Sequence, residues 1–382
     1  MDFELSEEQN AIFDMARSFA EDQLAPHAIE WDQTQTFPAD TLRATAELGM
    51  AGAYVGEEYG GSGLSRLDAT LIFEGLSYGC PSIAAFLSIH NMCAWMIDSF
   101  GSQEQRAHWV PKLCTMETIA SYCLTEPGSG SDAAALRTSA RMRGNELVLT
   151  GTKSFISGGG FSDLYIVMAR TGEEGSKGIS TVLVEKGTDG LSFGANERKM
   201  GWNAQPTAEV QFENCRLPAT NLLGEEGNGF KYAMRGLDGG RLNISACSLG
   251  AAQSALDKAV RYMQERKAFG KTLASFQALQ FKLADMEIEL QAARTFLRQA
   301  AWKLDQEAPD ATKFCAMAKR FATDTAFKVA NDALQLHGGY GYLAEYGIEK
   351  IVRDLRVHQI LEGTNEIMSL IVSRHLLDEA SV

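Results

Sequence analysis

The sequence predicts an α+β fold in three parts: an N-terminal all-helical domain over residues 1–117, a middle antiparallel β domain over 118–226, and a C-terminal four-helix-type bundle over 227–382. Three observations carry this prediction. Apolar residues recur at helical spacing up to about residue 115, short β-branched and aromatic runs replace them between about 120 and 225, and long stretches without internal proline follow from about 228. A doubly wound sheet would need helical patterns between the strands, and the middle region has none.

In the first part, Ser6 and Gln9 have capping-box spacing, and Ile12, Ala16, Phe19 and Ala20 then fall on one helical face. Ser65 and Asp68 repeat the arrangement before Leu71, Ile72 and Leu76. Glycines 60, 61 and 63 mark a break between helices. In the middle part, residues 147–150, 164–168, 179–184 and 208–212 read as strands separated by glycine-rich turns. The stretches 230–264, 275–304 and 309–336 are rich in Ala, Leu, Gln, Lys and Glu, as packed bundle helices are.

With 382 residues and 45% apolar content, the chain has material for substantial cores. Its seven cysteines are irregularly spaced and form no Cys-x-x-Cys pair, which fits reduced thiols better than a disulfide framework or zinc ribbon. A net charge of −14 without a basic block argues against nucleic-acid binding. No apolar run reaches the roughly 18 residues that suggest membrane insertion. The acidic start Met1-Asp-Phe-Glu lacks the basic character of a targeting peptide, so the expected location is the bacterial cytoplasm, or the mitochondrial matrix for a processed eukaryotic chain.

Several apparent motifs fail. Residues 128–134 nominally match a dinucleotide fingerprint, but they follow Glu126-Pro127 and lack a βαβ setting. Gly270-Lys-Thr272 resembles the end of a phosphate loop, yet the glycine required five positions earlier is Glu265. The six histidines show no metal-ligand spacing, and no metal site is expected.

Five segments have ligand-binding chemistry, although each taken alone also has a structural reading. Tyr122–Asp132 offers the hydroxyls of Thr125, Ser129 and Ser131, while Gly128 and Gly130 permit close main-chain approach to a planar or phosphorylated ligand. Lys153–Ser157 places Phe155, able to stack on a ring, two residues before the hydroxyl of Ser157. In Gln264–Gly270, Arg266 could grip a pyrophosphate. Gln335–Gly341 ends a helix with more glycines than a cap needs. Glu362 lies between Ile360, Leu361 and Gly363, so burial would raise its pKa and suit it to removing a weakly acidic C–H proton.

Together these segments resemble the acyl-CoA dehydrogenase family, in order, from Leu5-Ser-Glu-Glu8 to the C-terminal helix. The resemblance implies the family's fold, with FAD between the β domain and the bundle of a homotetramer. Tyr122, Leu124, Thr125, Gly130 and Ser131 match flavin-side and substrate-side positions, and Phe155 and Ser157 match the pair beside the isoalloxazine ring. Arg266, Phe269, Gln335 and Gly339 match positions reaching a neighbouring subunit's FAD, whereas Thr364 and Glu366 match contacts nearer the base. Asp238 and Arg241, in Leu237–Arg241, match positions that bind the CoA portion, with Gly239 and Gly240 leaving room for a narrow tail. Since neither glycine carries a carboxylate, the catalytic base within this family pattern is Glu362.

The implied reaction is α,β-dehydrogenation of an acyl-CoA thioester, with electrons passed to electron-transferring flavoprotein. Residues 63–68, 88–100 and 357–363 are similar to the family branch acting on isobutyryl-CoA in valine catabolism. Leu361 stands where many straight-chain members carry tyrosine, and a smaller residue could admit an α-methyl branch. Butyryl-CoA and 2-methylbutyryl-CoA are the alternative substrates, because one pocket residue changes preference by only ~1–3 kcal/mol. An acyl-CoA oxidase would share the chemistry, but its common long form has a further C-terminal domain. A noncatalytic helical scaffold would explain the bundle and charge, but not Glu362 together with the ligand-type segments.

Overall fold

Local chemistry starts the first helices where the sequence predicts. In the computed structural model, which describes residues 4–379, both Ser6–Gln9 and Ser65–Asp68 form reciprocal capping boxes. The helices of the first part are α1 (Glu7–Phe19), α2 (Ala28–Thr34), α3 (Ala39–Ala44), α4 (Arg66–Gly79), α5 (Pro81–Phe100) and α6 (Gln103–Cys114). Of the acidic start, Met1–Phe3 lie outside the described residues.

The middle part contains β1 (Ala120–Cys123), β2 (Ser139–Arg143), β3 (Glu146–Ser157), β4 (Leu164–Arg170), β5 (Ile179–Glu185), β6 (Leu191–Phe193), β7 (Thr207–Pro218) and β8 (Leu222–Leu223). They form one eight-stranded sheet of order β6-β7-β3-β2-β4-β5-β8, with β1 also paired to β4. Most pairs are antiparallel, but β1 runs parallel to β4 and β2 meets β4 through the parallel pair Ser139–Arg170. The sheet is therefore mixed where the sequence pattern suggested purely antiparallel pairing. Burial alternation reports which face a strand covers, and it is silent about its neighbour's direction.

The last part begins with α7 (Gly229–Glu265), followed by the two-residue strands β9 (Lys267–Ala268) and β10 (Lys271–Thr272). Then come α8 (Gln277–Asp305), α9 (Ala311–His337), α10 (Ile348–His358) and α11 (Asn365–Glu379). Helix α7 is the central rod, packing on α4, α5, α8, α9 and α10. Close approach to α4 depends on Gly250, where a Cβ would lie 2.0 Å from the Glu74 carbonyl oxygen. Thus the N-terminal helices and C-terminal bundle share one apolar core, which runs from Ala16 and Phe73 through Leu249 and Leu290 to Leu355.

Helix α5 corrects one sequence expectation, since it is long and apolar enough by composition to span a bilayer. It is nevertheless an interior helix: 72% of its apolar window is buried, and Asn91 satisfies the Ala53 N–H and the Met50 carbonyl from inside the fold. All seven cysteines are free and buried.

Candidate active site

Where the bundle meets the start of the sheet, Glu362 occupies the short loop between α10 and α11. Its φ is +57° and that of Gly363 is +87°. A left-handed glutamate followed by a left-handed glycine is a costly turn for a side chain to occupy, and tertiary contacts must hold it. Arg241 on α7 donates from Nε to the Glu362 carbonyl at 3.3 Å. On α9, Lys319 donates to the Gly363 carbonyl at 2.8 Å.

The Glu362 residue keeps some accessible surface, yet its Oε2 is buried without a hydrogen-bond partner. Burial pushes its carboxyl up to about 7, against the pull of Arg241 and Lys319. Such a group can accept a proton near neutral pH. Its backbone N–H also has no protein acceptor among the described residues. Beside it, Tyr122 has a buried, unpartnered hydroxyl, whose pKa is raised well above the ordinary value by burial and then by the Glu362 charge. Two orphaned polar groups in one place suit a ligand that supplies their partners.

Asp238 and Arg241 are almost fully buried and paired at 2.7 Å, and Thr312 holds the other Asp238 oxygen at 2.7 Å. The glycines between them have a different use from the one expected. A Cβ at Gly239 would lie 2.4 Å from an Arg66 nitrogen, and one at Gly240 would lie 2.5 Å from Glu362 Oε2. Gly239 and Gly240 therefore make room for two side chains of the protein itself. Gly240→Ala is expected to leave the helix as stable or slightly more so, because alanine is the better helix former, while displacing the carboxylate. Misplacement of that kind should lower kcat about tenfold or more at unchanged flavin content, and an unaltered kcat would contradict it.

The Tyr122–Asp132 segment is β1 followed by a tight loop in which Glu126 and Ser129 exchange backbone hydrogen bonds of 3.0 and 3.1 Å. Leu124 is buried and Thr125 half-buried, while Gly130 and Ser131 are exposed. Ser129 is buried and its hydroxyl proton is already donated to the Asp132 carbonyl at 2.6 Å, so it is not free to donate to a ligand. Sequence reasoning missed what holds this loop: buried Lys153 reaches Glu126 at 2.8 Å and the Leu124 carbonyl at 3.0 Å. Glu126 in turn accepts from the N–H groups of Arg137 and Thr138.

Two residues after Lys153, β3 shifts register against β7 and Phe155 adopts a φ of +59°. The irregularity turns Phe155 outward with 67% of its surface exposed, and Ser157 follows half-buried. Arg266, Gln335 and Gly339 line an open cavity of about 540 Å³ with Tyr262 and Tyr340. Phe269 stands apart at the tip of the β9–β10 turn, 95% exposed. Thr364 accepts from the Ile367 N–H at 3.3 Å and so caps α11, where Glu366 is exposed. Leu361 packs against the shared helical core. No group of three or more metal-ligating side chains occurs among the described residues.

These features suit a large flavin nucleotide: an outward aromatic ring beside a hydroxyl, a loop whose Gly128 and Gly130 meet nothing within 4 Å of a Cβ position, and an open arginine-lined cavity. Arg66 was also missed, its guanidinium lying 3.6 Å over the Tyr54 ring and 4.7 Å from the Trp95 ring. Its neighbours are distant in sequence, so no local signal marked it.

Comparison with known proteins agrees with the geometry. Residues 6–117, 121–215 and 227–377 match the family profiles described as acyl-CoA dehydrogenase N-terminal, middle and C-terminal domains. The mitochondrial isobutyryl-CoA dehydrogenase of Bos taurus is 56% identical over 98% of this chain and 90% of its own length. Its counterpart from Dictyostelium discoideum is 55% identical over 97% of this chain and 90% of its length. A solved structure of butyryl-CoA dehydrogenase from Megasphaera elsdenii superposes with a TM-score of 0.96 at 39% identity, covering 99% of this chain and 100% of that one. With all three regions matched in order, the chain belongs to the acyl-CoA dehydrogenase family and is an FAD-dependent acyl-CoA dehydrogenase.

Proposed function

We propose that the protein converts isobutyryl-CoA to methacrylyl-CoA in valine catabolism. The observation that carries the chemistry is the buried, unpartnered Oε2 of Glu362 on a carboxyl with a pKa of about 7. Glu362 removes the α proton of the thioester, and its own unoccupied N–H is available to the thioester oxygen as negative charge develops there. Bound FAD supplies the acceptor for the hydride leaving the β carbon, and electron-transferring flavoprotein receives the electrons. Tyr122, Leu124, Thr125, Gly130, Ser131, Phe155 and Ser157 hold the flavin side of the site, with Ser131 also toward substrate. Arg266, Phe269, Gln335 and Gly339 serve the FAD of an adjacent subunit in a homotetramer, and Thr364 and Glu366 contact flavin nearer the base.

Asp238 and Arg241 bind the CoA arm. Arg241 has a second role in this reading, because the bond it makes to the Glu362 carbonyl links the CoA-binding side of the slot to the base. Support for a branched acyl group comes from Leu361 and from the isobutyryl-CoA dehydrogenases that share more than half of this sequence. Initial rates for isobutyryl-CoA, butyryl-CoA and 2-methylbutyryl-CoA with one dye acceptor test the assignment. The highest kcat/KM is expected for isobutyryl-CoA, by about tenfold over the straight chain, which corresponds to one methyl-scale contact. A dominant butyryl-CoA efficiency would overturn it.

A further inference from the structure

Lys319 is a buried cation on the apolar side of α9, with Cys315, Ala316, Ala318 and Ala322 as buried neighbours on the helix. It forms no ion pair within 4.0 Å among the described residues, and a charge buried without a carboxylate partner is costly to keep. Both of its hydrogen bonds go to the loop that carries Glu362. Nζ donates to the Gly363 carbonyl at 2.8 Å and to Asn365 Oδ1 at 2.9 Å. Asn365, the first residue of α11, donates to Thr323 Oγ1 at 3.0 Å and to Asp324 Oδ1 at 2.7 Å, both also on α9. From the end of α10, Gln359 reaches the same Asp324 oxygen at 2.7 Å. The stretch of α9 from Lys319 to Asp324 thus ties down both ends of a loop whose central two residues are left-handed.

We infer that Lys319 is a positioning residue for the base: its ammonium clamps the Gly363 carbonyl and the start of α11, which fixes the turn that aims Glu362, and its charge favours the carboxylate form. This rests on the reading of Glu362 as base. The clamp and the Arg241 bond hold consecutive carbonyls, those of Glu362 and Gly363, from two different helices. Neither peptide plane can then rotate without breaking a charge-assisted bond.

The titratable groups around Glu362 and Lys319 come from five elements. Arg241 on α7 is neutralised in part by Asp238, and Lys319 on α9 has Asp324 in its field. Glu366 on α11 adds an exposed negative charge near Lys319. Tyr122 on β1, Cys93 on α5 and Cys247 on α7 are held neutral by burial. Burial pushes the Lys319 amine down to about 7, with Glu362 pulling it back up. Lys319 is consequently charged across the acid range in which the base loses its activity.

The experiment compares the holoenzyme with Lys319→Met, which removes clamp and charge, and Lys319→Gln, which keeps a donor but no charge. Flavin content and pH profiles of kcat and kcat/KM are measured with isobutyryl-CoA. With Lys319→Met, kcat is expected to fall ~10–100-fold with little change in KM, as misaimed chemistry demands. In both variants the acid limb should move to higher pH by about half a unit or more, because the cation favouring the carboxylate is gone. A limb unmoved in flavin-loaded Lys319→Gln overturns the proposal, including the case in which Lys319→Met does not fold. Glu362→Gln is run in parallel: turnover there would sink the assignment of the base, whereas an inactive Glu362→Gln with an unmoved limb in Lys319→Gln sinks the lysine's role alone.

Discussion

Glu362→Gln should retain bound flavin and lose substrate-dependent flavin bleaching, with a fall in rate of ~10³-fold or more, at the upper end of what a positioned general base contributes. Glutamine fills the same space beside Gly240 but cannot take the α proton. Undiminished bleaching would refute the assignment. In the parent enzyme, activity should fall about tenfold per unit as pH drops below the Glu362 value of about 7, since only the carboxylate accepts a proton. The same substitution has an opposite effect on stability. A carboxyl raised from 4.5 unfolded to about 7 folded costs the native state nothing below pH 4.5, and the cost builds between pH 4.5 and 7 and stays constant above. Glu362→Gln should therefore be more stable than the parent at alkaline pH by up to about 3 kcal/mol, and equal to it under acid conditions. Denaturation midpoints of the two proteins across pH measure this directly, and parallel curves would count against a buried, ionising Glu362.

That opposition explains why the base was visible in the sequence and why its setting was not. A carboxylate flanked by Ile360, Leu361 and Gly363 is an anomaly that local chemistry exposes. Helix bounds were legible for a similar reason: capping residues and periodic apolar faces are written within four residues of one another, as at Ser6–Gln9 and Ser65–Asp68. Partners separated by long stretches of chain leave no such mark. Arg66 meets Trp95 and Gly239 only through the packing of α4, α5 and α7, and β1 finds β4 across more than forty residues. Lys319 did leave a trace, as a lysine set among Cys315, Ala316, Ala318 and Ala322 on a helix face that otherwise reads as core. The outward turn of Phe155 needs a register shift between β3 and β7, and register belongs to strand pairs.

Lys153→Met is expected to destabilise the holoenzyme by about 3–5 kcal/mol and to weaken flavin retention, the largest effect of any single change remote from the base. Lys153 is fully buried and Glu126 nearly so, and they meet at 2.8 Å. Burial pushes the Lys153 amine down even against the attraction of Glu126, so forming the pair brings little net gain over an apolar packing. Breaking it is different. Methionine would leave the Glu126 carboxylate with only the Arg137 and Thr138 N–H groups and would free the Leu124 carbonyl inside the fold. Because Glu126 anchors the loop running to Asp132, the damage should pass directly to the residues proposed to hold the flavin. The double variant Lys153→Met/Glu126→Gln removes both charges and should recover at least half of the lost stability, whereas additive losses in the two single variants would show that the pair itself contributes nothing. Denaturant midpoints with flavin fluorescence follow stability and loop integrity in the same titration. Flavin release that precedes global unfolding in Lys153→Met is the expected signature of a loosened loop on an intact sheet, and coincident transitions at an unchanged midpoint would contradict it.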